Sequence, residues 1–205
     1  DVVLKVNRDS NTPPIQTCKI IDGYDFSGDK NNLIDPDDDP IDYQGHGTHV
    51  AGIAAGNGIL KGVAPDASIH AYKVFPNSFT SVIIQAIERS IDPNQDNDPS
   101  DHLDVISLSL GLNCQGFYDS FCGPDDPMST AIDNAVSAGV IASISAGNSG
   151  PFSATIGSPG TARKAITVGA TDKKDMIASF SSRGPVVISG EIINKPDIVA
   201  PGVGI

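Results

Sequence analysis

The sequence lacks several features that mark particular classes of protein. No apolar run approaches the roughly 20 residues that a membrane-spanning helix needs. The 13 basic residues are outnumbered by 25 acidic ones, which leaves a net charge of −12. A chain without a basic stripe is a poor candidate for binding nucleic acid or an anionic membrane. We therefore expect no membrane span and no nucleic-acid partner, and the acidity fits an extracellular, cation-rich setting.

Cysteine and processing signals are also scarce. The three cysteines are Cys18, Cys114 and Cys122, and none has the Cys/His spacing of a metal site. Cys114 and Cys122 bracket a short glycine-containing loop, so a local disulfide is plausible, with Cys18 left free or paired outside the chain. The chain begins at Asp1 without an initiator methionine or a signal peptide, which indicates a processed or excised product.

Apolar strand patterns alternate with helical patterns through most of the 205 residues. Helix 127–138, for example, begins at a proline and stops before Gly139, the usual asymmetry of helix ends. This alternation predicts one α/β domain with a largely parallel sheet, whose ligands bind beyond the carboxyl ends of the strands. The predicted strands are 2–6, 19–26, 68–74, 104–110, 140–146 and 165–170, and the other predicted helix is 81–90.

The segment from Gly45 to Ala54 has the densest chemical pattern in the chain. His46 lies between two glycines, and the small apolar residues behind it predict a helix buried against a sheet. A histidine at the start of such a helix is well placed to act as a general base. The alternative is a capping or core histidine without a catalytic role.

The acidic segment 92–101 places oxygen-bearing side chains at alternate positions, which lets one loop wrap a hard cation such as calcium. It lacks the sixth-position glycine and the twelfth-position glutamate of an EF-hand. The alternative is a solvated acidic turn. The candidate ligands are Asp92, Asn94, Asp96 and Asp98.

Six motifs together resemble, in order, those of the subtilisin-like serine proteases, a family in which calcium is common. They cover the chain from about Lys19 to its end, whereas residues 1–17 match poorly. The motifs are Gly45–Gly52, Ser107–Gly111, Ser145–Gly150, Gly157–Gly160, Ser179–Pro185 and Lys195–Gly202.

The resemblance implies a three-layer α/β fold, with a largely parallel sheet and helices on both faces, and a role for individual residues. His46 matches the general base of a Ser-His-Asp triad, and Asn148 matches the side-chain donor to the oxyanion. The bond between Ser158 and Pro159 matches a cis proline of the family. The residues that match its substrate-binding segments are Ser109, Leu110, Gly111, Ser145, Ala146, Gly147 and Gly157.

Two parts of the family's triad are not evident in the sequence. No Gly-Thr-Ser occurs, although the family carries its nucleophile in such a segment beyond the Ala-Pro-Gly motif. We therefore expect a C-terminally incomplete domain, with exposed apolar surface, that does not hydrolyse peptides as given. Asp9 is the candidate triad acid, but Arg8 replaces the expected apolar residue and Asn11 the expected glycine. The favoured alternative is therefore a solvated loop aspartate.

Three functions remain open from the sequence. The first is a secreted serine endopeptidase that acts on protein or peptide substrates. In that case the 205 residues are a fragment of a longer catalytic domain. The missing C-terminal portion or a propeptide would be its possible partners. The second is a non-catalytic relative that keeps only the peptide-binding cleft. The third is a structural or calcium-binding module that uses the fold as a scaffold.

Overall fold

The computed structural model describes residues 2–5, 19–29, 33–114 and 118–205, and its chain divides into two compact units. Unit 1 comprises residues 1–107 and 138–140, and unit 2 comprises residues 108–137 and 141–205. His46 belongs to unit 1. Asn148 and the substrate-binding candidates belong to unit 2.

The sheet of unit 1 has both parallel and antiparallel strand pairs. Its strands are β1 (Val2–Lys5), β2 (Ile20–Asp25), β3 (Ser68–Lys73) and β4 (Val105–Leu108), in the order β2-β3-β1-β4. β2 and β3 pair in parallel, with Tyr24 opposite Tyr72. β1 is antiparallel to both β3 and β4, which the sequence did not predict.

Two helices of unit 1, α1 (His46–Ala55) and α2 (Thr80–Ile91), contact opposite faces of β3. Ala55 of α1 packs in a core cluster with Ile69. On the other face, the Tyr72 hydroxyl lies 3.5 Å from the carbonyl oxygen of Arg89 in α2. Because successive strand residues point to opposite faces, residues 69 and 72 place the helices on the two sides. A short 3₁₀ helix, Pro99–Asp101, precedes β4.

Unit 2 contains a wholly parallel three-stranded arrangement. Helix α3 (Pro127–Ala138) precedes β5 (Ile141–Ser145), which pairs with β6 (Ile166–Thr171), and β6 pairs with β9 (Ile198–Pro201). The hairpin β7 (Val186–Ile188) and β8 (Glu191–Ile193) has no counterpart in the predicted elements. Val186 of this hairpin packs with Ala146 and Ile156 in a buried cluster.

Most of the predicted elements are confirmed. Helix α3 has the predicted bounds, and the predicted disulfide joins Cys114 to Cys122 with a Cα–Cα distance of 5.4 Å. The bond between Ser158 and Pro159 is cis. In the part of the chain that the structure describes, no helix is both long enough and apolar enough to cross a membrane.

The prediction that α1 is a buried helix is wrong for this structure. Only Ala55 is buried in α1, and Ile53 is 39% exposed. The small residues of the helix suit burial, but just one side of it meets the sheet, through the cluster at Ile69. The turn after α1 also exposes the apolar residues Ile59, Leu60 and Val63.

Candidate active site

His46 is the first residue of α1, and its side chain is exposed. Gly45 before it has a φ of 89°, a left-handed conformation that a glycine adopts without strain. The chain therefore turns at Gly45 and enters the helix at the histidine. A general base must be accessible to the group whose proton it takes, and an exposed imidazole at a helix start meets that requirement.

The first turn of α1 is held by the carboxylate of Asp42. One oxygen accepts hydrogen bonds from the backbone N–H groups of Gln44 and Gly45, at 2.9 and 2.8 Å. The other accepts from the backbone N–H and the hydroxyl of Thr48, both at 2.8 Å. Burial opposes ionisation, but these hydrogen bonds outweigh it and hold the pKa of Asp42 well below its usual range. Asp42 thus caps the helix on which His46 lies.

A cavity of about 570 Å³ lies beside His46 within unit 1. Its walls combine the first turns of α1, the loop 39–44, strand β3 and the turn at 75–76. A cavity of this volume can hold a side chain of a bound peptide. The histidine is therefore accessible from a concave site and not only from a flat surface.

Lys73 and Asp29, which also line this cavity, form an ion pair. The Lys73 ammonium is 2.7 Å from the buried Asp25 carboxylate and 5.3 Å from the ring centre of Tyr43. Burial disfavours its charge, but the hydrogen bonds to both carboxylates outweigh burial and raise the pKa of Lys73. The cavity therefore contains a fixed cation whose charge is already balanced by acidic neighbours.

In unit 2, the structure brings three predicted substrate-binding segments together. Leu112, just past Gly111, exchanges two backbone hydrogen bonds with Ser158, at 2.7 and 3.0 Å. The Gly157 N–H donates to the carbonyl of Ala146 at 3.0 Å, and the Ser145 hydroxyl lies 3.5 Å from the carbonyl of Leu110. The segments that contain Ser109–Gly111, Ser145–Gly147 and Gly157 are therefore neighbours within unit 2.

Asn148 is exposed in a tight loop after β5. Gly147 has a φ of 105°, and its carbonyl accepts a hydrogen bond from the Ser182 N–H at 2.9 Å. On the other side of Asn148, the Ser149 N–H donates to the Ser182 hydroxyl at 3.0 Å. The backbone of Asn148 is thus held at both flanking residues by one buried serine.

The remaining candidates fare differently. Asp9 lies outside the described residues, so its role as triad acid stays a prediction.

In the loop 92–98 the acidic side chains accept backbone N–H bonds, such as those from Asn97 to Asp92 and from Asp98 to Asp96 at 2.9 and 2.8 Å. Over the described ranges, no three His, Cys, Asp or Glu side chains are grouped so as to hold a metal ion. Calcium binding by this loop stays a prediction.

Sequence reasoning did not single out two residues that the geometry places near the candidates. Lys73 lines the cavity beside His46, and the signal for it is a basic residue at the end of a predicted strand. Ser182 lies in the motif Ser179–Pro185, for which the sequence predicts no role in the site. Its partners, Gly147 and Ser149, lie more than 30 residues earlier, so no local pattern could indicate them.

Comparison with known proteins identifies the family to which the chain belongs. The model of the Subtilase family matches residues 9–204, so the chain belongs to that family. It is 40% identical over 189 residues to serine protease AprX and 42% identical over 187 residues to minor extracellular protease Vpr, both from Bacillus subtilis (strain 168). Among solved structures, sphericase superposes with a TM-score of 0.63 at 33% identity, over 87% of this chain and 58% of that chain.

These relatives are longer than the region they share with this chain. The matched regions cover 85% of this chain but 41% of AprX, and 86% of this chain but 21% of Vpr. The family membership and the subtilisin-like α/β fold therefore follow from the comparisons. The activity of the whole protein is a separate matter.

Proposed function

We propose that this chain carries part of the active site of a serine endopeptidase that hydrolyses peptide bonds in proteins through a Ser-His-Asp triad. The observation that carries the proposal is His46, which begins α1, is exposed and lines a cavity of about 570 Å³. The family match over residues 9–204 supports the same assignment.

Each candidate has a chemical task in this proposal. His46 takes the proton from a serine hydroxyl as the serine attacks the carbonyl, then returns it to the leaving amine. Asn148 donates a hydrogen bond to the oxyanion of the tetrahedral intermediate. Ser109–Gly111 pair with an extended substrate through their backbone groups. Ser145–Gly147 form one wall of the primary specificity pocket, and Gly157 forms its floor.

The serine itself has no counterpart in these 205 residues, because no Gly-Thr-Ser occurs among them. We therefore expect the chain as given to be inactive, since a base without a nucleophile has no proton to abstract. A fluorophosphonate probe tests this expectation directly. The expected result is no labelling above a heat-denatured control, and stoichiometric labelling of this chain would contradict it.

The second candidate is a non-catalytic relative that binds peptides without cleaving them. An exposed His46 and a firmly held Asn148 favour the protease, because a binding cleft needs neither. The encoded sequence following Ile205 separates the two functions. A Gly-Thr-Ser segment there supports the protease, and a reading frame that continues without one supports the binding protein.

We propose a secreted protein with protein or peptide substrates, and with a propeptide or a C-terminal portion as possible intramolecular partners. One relative is named as an extracellular protease, and the acidic composition fits an extracellular setting. The disulfide Cys114–Cys122 agrees with an oxidising compartment. Fractionation of the source culture with an antibody to this chain tests the location. Recovery of the protein from the cells alone would contradict it.

Structural calcium at the loop 92–98 also remains a proposal. It rests on the alternate spacing of the oxygen side chains, whose lone pairs are not all taken by the backbone N–H groups that they accept. Calcium has no part in the proposed proton transfers.

A further inference from the structure

The loop that carries Asn148 is shaped by a segment that the proposed chemistry does not use. Segment 179–183 passes against residues 147–150, and backbone hydrogen bonds join the two at Gly147 and Gly150. The Gly150 N–H donates to the carbonyl of Phe180 at 2.8 Å. The two segments therefore form one unit around Asn148.

Within this unit, Ser182 contacts both sides of Asn148. Its N–H donates to the Gly147 carbonyl at 2.9 Å, and its hydroxyl accepts from the Ser149 N–H at 3.0 Å. Ser182 is 1% exposed, so water does not compete for these bonds. A buried, doubly bonded anchor restricts the φ and ψ angles of the residue between its two contacts.

The close spacing of the two segments also explains the glycines of the loop. A Cβ atom on Gly147 would lie 2.9 Å from the Ser182 hydroxyl, and one on Gly150 would lie 2.7 Å from the carbonyl oxygen of Ser179. Both distances are too short for a real Cβ atom. Segment 179–183 therefore lies as close to the Asn148 loop as backbones without side chains allow.

We infer that Ser182 is a positioning residue for Asn148: its buried hydroxyl and N–H hold the Asn148 carboxamide where it can donate to an oxyanion. This inference rests on the proposed function, because it takes Asn148 as the oxyanion donor. Donors in such sites act by being oriented before the reaction, so a loosened loop loses their effect while the fold persists. Ser182 itself contacts no substrate in this scheme.

Ser181 offers a closely matched control. It is also 1% exposed, and its hydroxyl also accepts a backbone N–H bond, from Ala170 at 3.0 Å. That partner lies in β6 and not in the Asn148 loop. Ser182→Ala and Ser181→Ala thus remove comparable buried hydrogen bonds, and only the first touches the residues that flank Asn148.

The first test follows the Asn148 side-chain amide by NMR in the ¹⁵N-labelled 205-residue chain, with assignment from its loss in Asn148→Ala. Ser182→Ala should move the two amide proton signals toward those of free asparagine, and the Ser149 N–H should exchange at least tenfold faster. Ser181→Ala should leave both unchanged. Unchanged Asn148 signals in Ser182→Ala, or equal changes in both variants, would overturn the inference.

The second test measures oxyanion recognition. Fluorescein-labelled tetrapeptides ending in phenylalanine, as the free acid or as the amide, are compared by fluorescence polarisation. A positioned Asn148 favours the acid, so the ratio of the amide Kd to the acid Kd should be at least about three in the wild type and in Ser181→Ala. It should fall at least threefold in Ser182→Ala, as in Asn148→Ala, and a ratio kept by Ser182→Ala alone would refute the inference.

The two tests separate the inference from the function on which it rests. If neither peptide binds the wild type, the proposed substrate cleft fails, while the NMR comparison still decides whether Ser182 orders Asn148. If Ser182→Ala does not fold, Ser182→Cys keeps nearly the same volume and offers a weaker acceptor. The same direction of change is then expected, and Asn148 signals like those of the wild type would count against the inference.

Discussion

The start of α1 in unit 1 and the Asn148 loop in unit 2 are held by contacts of different range. The α1 turn depends on Asp42, whose partners lie two to six residues further along the chain. The Asn148 loop depends on Ser182, 33 residues beyond Ser149. Local hydrogen bonds therefore hold the candidate base, and long-range packing holds the candidate oxyanion donor.

The surroundings of the two sites differ in the same way. Around α1, Ile53 and the turn that follows are exposed, so the helix has space on one side. Beside Asn148, segment 179–183 packs against the backbone of the loop, and its Ser181 and Ser182 are buried. We therefore expect substitutions near α1 to be tolerated and substitutions near Asn148 to be costly.

The largest difference should come from glycine-to-alanine changes. Gly150→Ala places a Cβ atom against the carbonyl oxygens of Ser181 and Ser179, and both are backbone atoms that cannot move aside. We expect the free energy of unfolding to fall by about 3 kcal/mol, the range of overpacked sites. Urea denaturation followed by circular dichroism measures it.

Gly52→Ala in α1 is the matched change in unit 1. A Cβ atom at Gly52 meets nothing within 4 Å, so the variant should gain up to about 1 kcal/mol from the helix propensity of alanine. If Gly52→Ala and Gly150→Ala lower the free energy of unfolding equally, the packing around α1 is as tight as that around Asn148. That result would contradict the difference described above.

The disulfide of unit 2 should have the next largest effect. Cys114 and Cys122 are 8 residues apart, and closing a loop of that length restricts the unfolded chain by about 2.5 kcal/mol. The Cys114→Ser/Cys122→Ser double variant should lose about that much stability in urea. Dithiothreitol should destabilise the wild type similarly and leave the double variant unchanged; a double variant as stable as the oxidised wild type would contradict the estimate.

Removal of the α1 cap should have a smaller effect that depends on pH. Asp42→Ala should cost about 1 kcal/mol of unfolding free energy at pH 7, a typical value for a helix cap. Because the folded pKa of Asp42 is lowered, its contribution is complete above the unfolded pKa of about 4 and is lost as the pH falls through the folded pKa.

The stability difference between Asp42→Ala and the wild type should therefore shrink below about pH 4. Asp38→Asn, an exposed change in the same acidic region, should leave stability unchanged at either pH. If Asp42→Ala lowers the free energy of unfolding by the same amount at pH 7 and at pH 3, the Asp42 charge does not contribute to stability.

The smallest effect is expected from calcium at the loop 92–98. At a concentration equal to its Kd, calcium would stabilise the chain by about 0.4 kcal/mol. Thermal melting at increasing calcium, with Asp92→Asn/Asp96→Asn as the control, measures the shift. No change in midpoint at millimolar calcium would remove the loop as a site, and an equal shift in the control variant would place calcium elsewhere.

Much of the fold could be predicted because its signals are local. The 3.6-residue periodicity of α2 and the proline and glycine at the ends of α3 depend on neighbours in sequence, and both helices lie where they were predicted. The antiparallel pairing of β1 could not be predicted in this way. Strand direction depends on partners such as Ile106, about 100 residues away, and leaves no periodic trace in Val2–Lys5.

The candidate site shows the same difference between local and long-range signals. His46, with Gly45 before it, and the motif around Asn148 could be recognised from the sequence, because a sharp turn and a helix start require particular residues at adjacent positions. The sequence by itself thus determined the α/β class, the family resemblance and the identity of the candidate residues.

Only the tertiary structure decided how those residues are held. It decided that α1 leaves Ile53 exposed, that Lys73 lines the cavity beside His46, and that Ser182 bonds both neighbours of Asn148. The physical reason is that burial and hydrogen-bond pairing depend on which distant segments meet, and a serine bonded across 33 residues has the same local sequence as one that faces water.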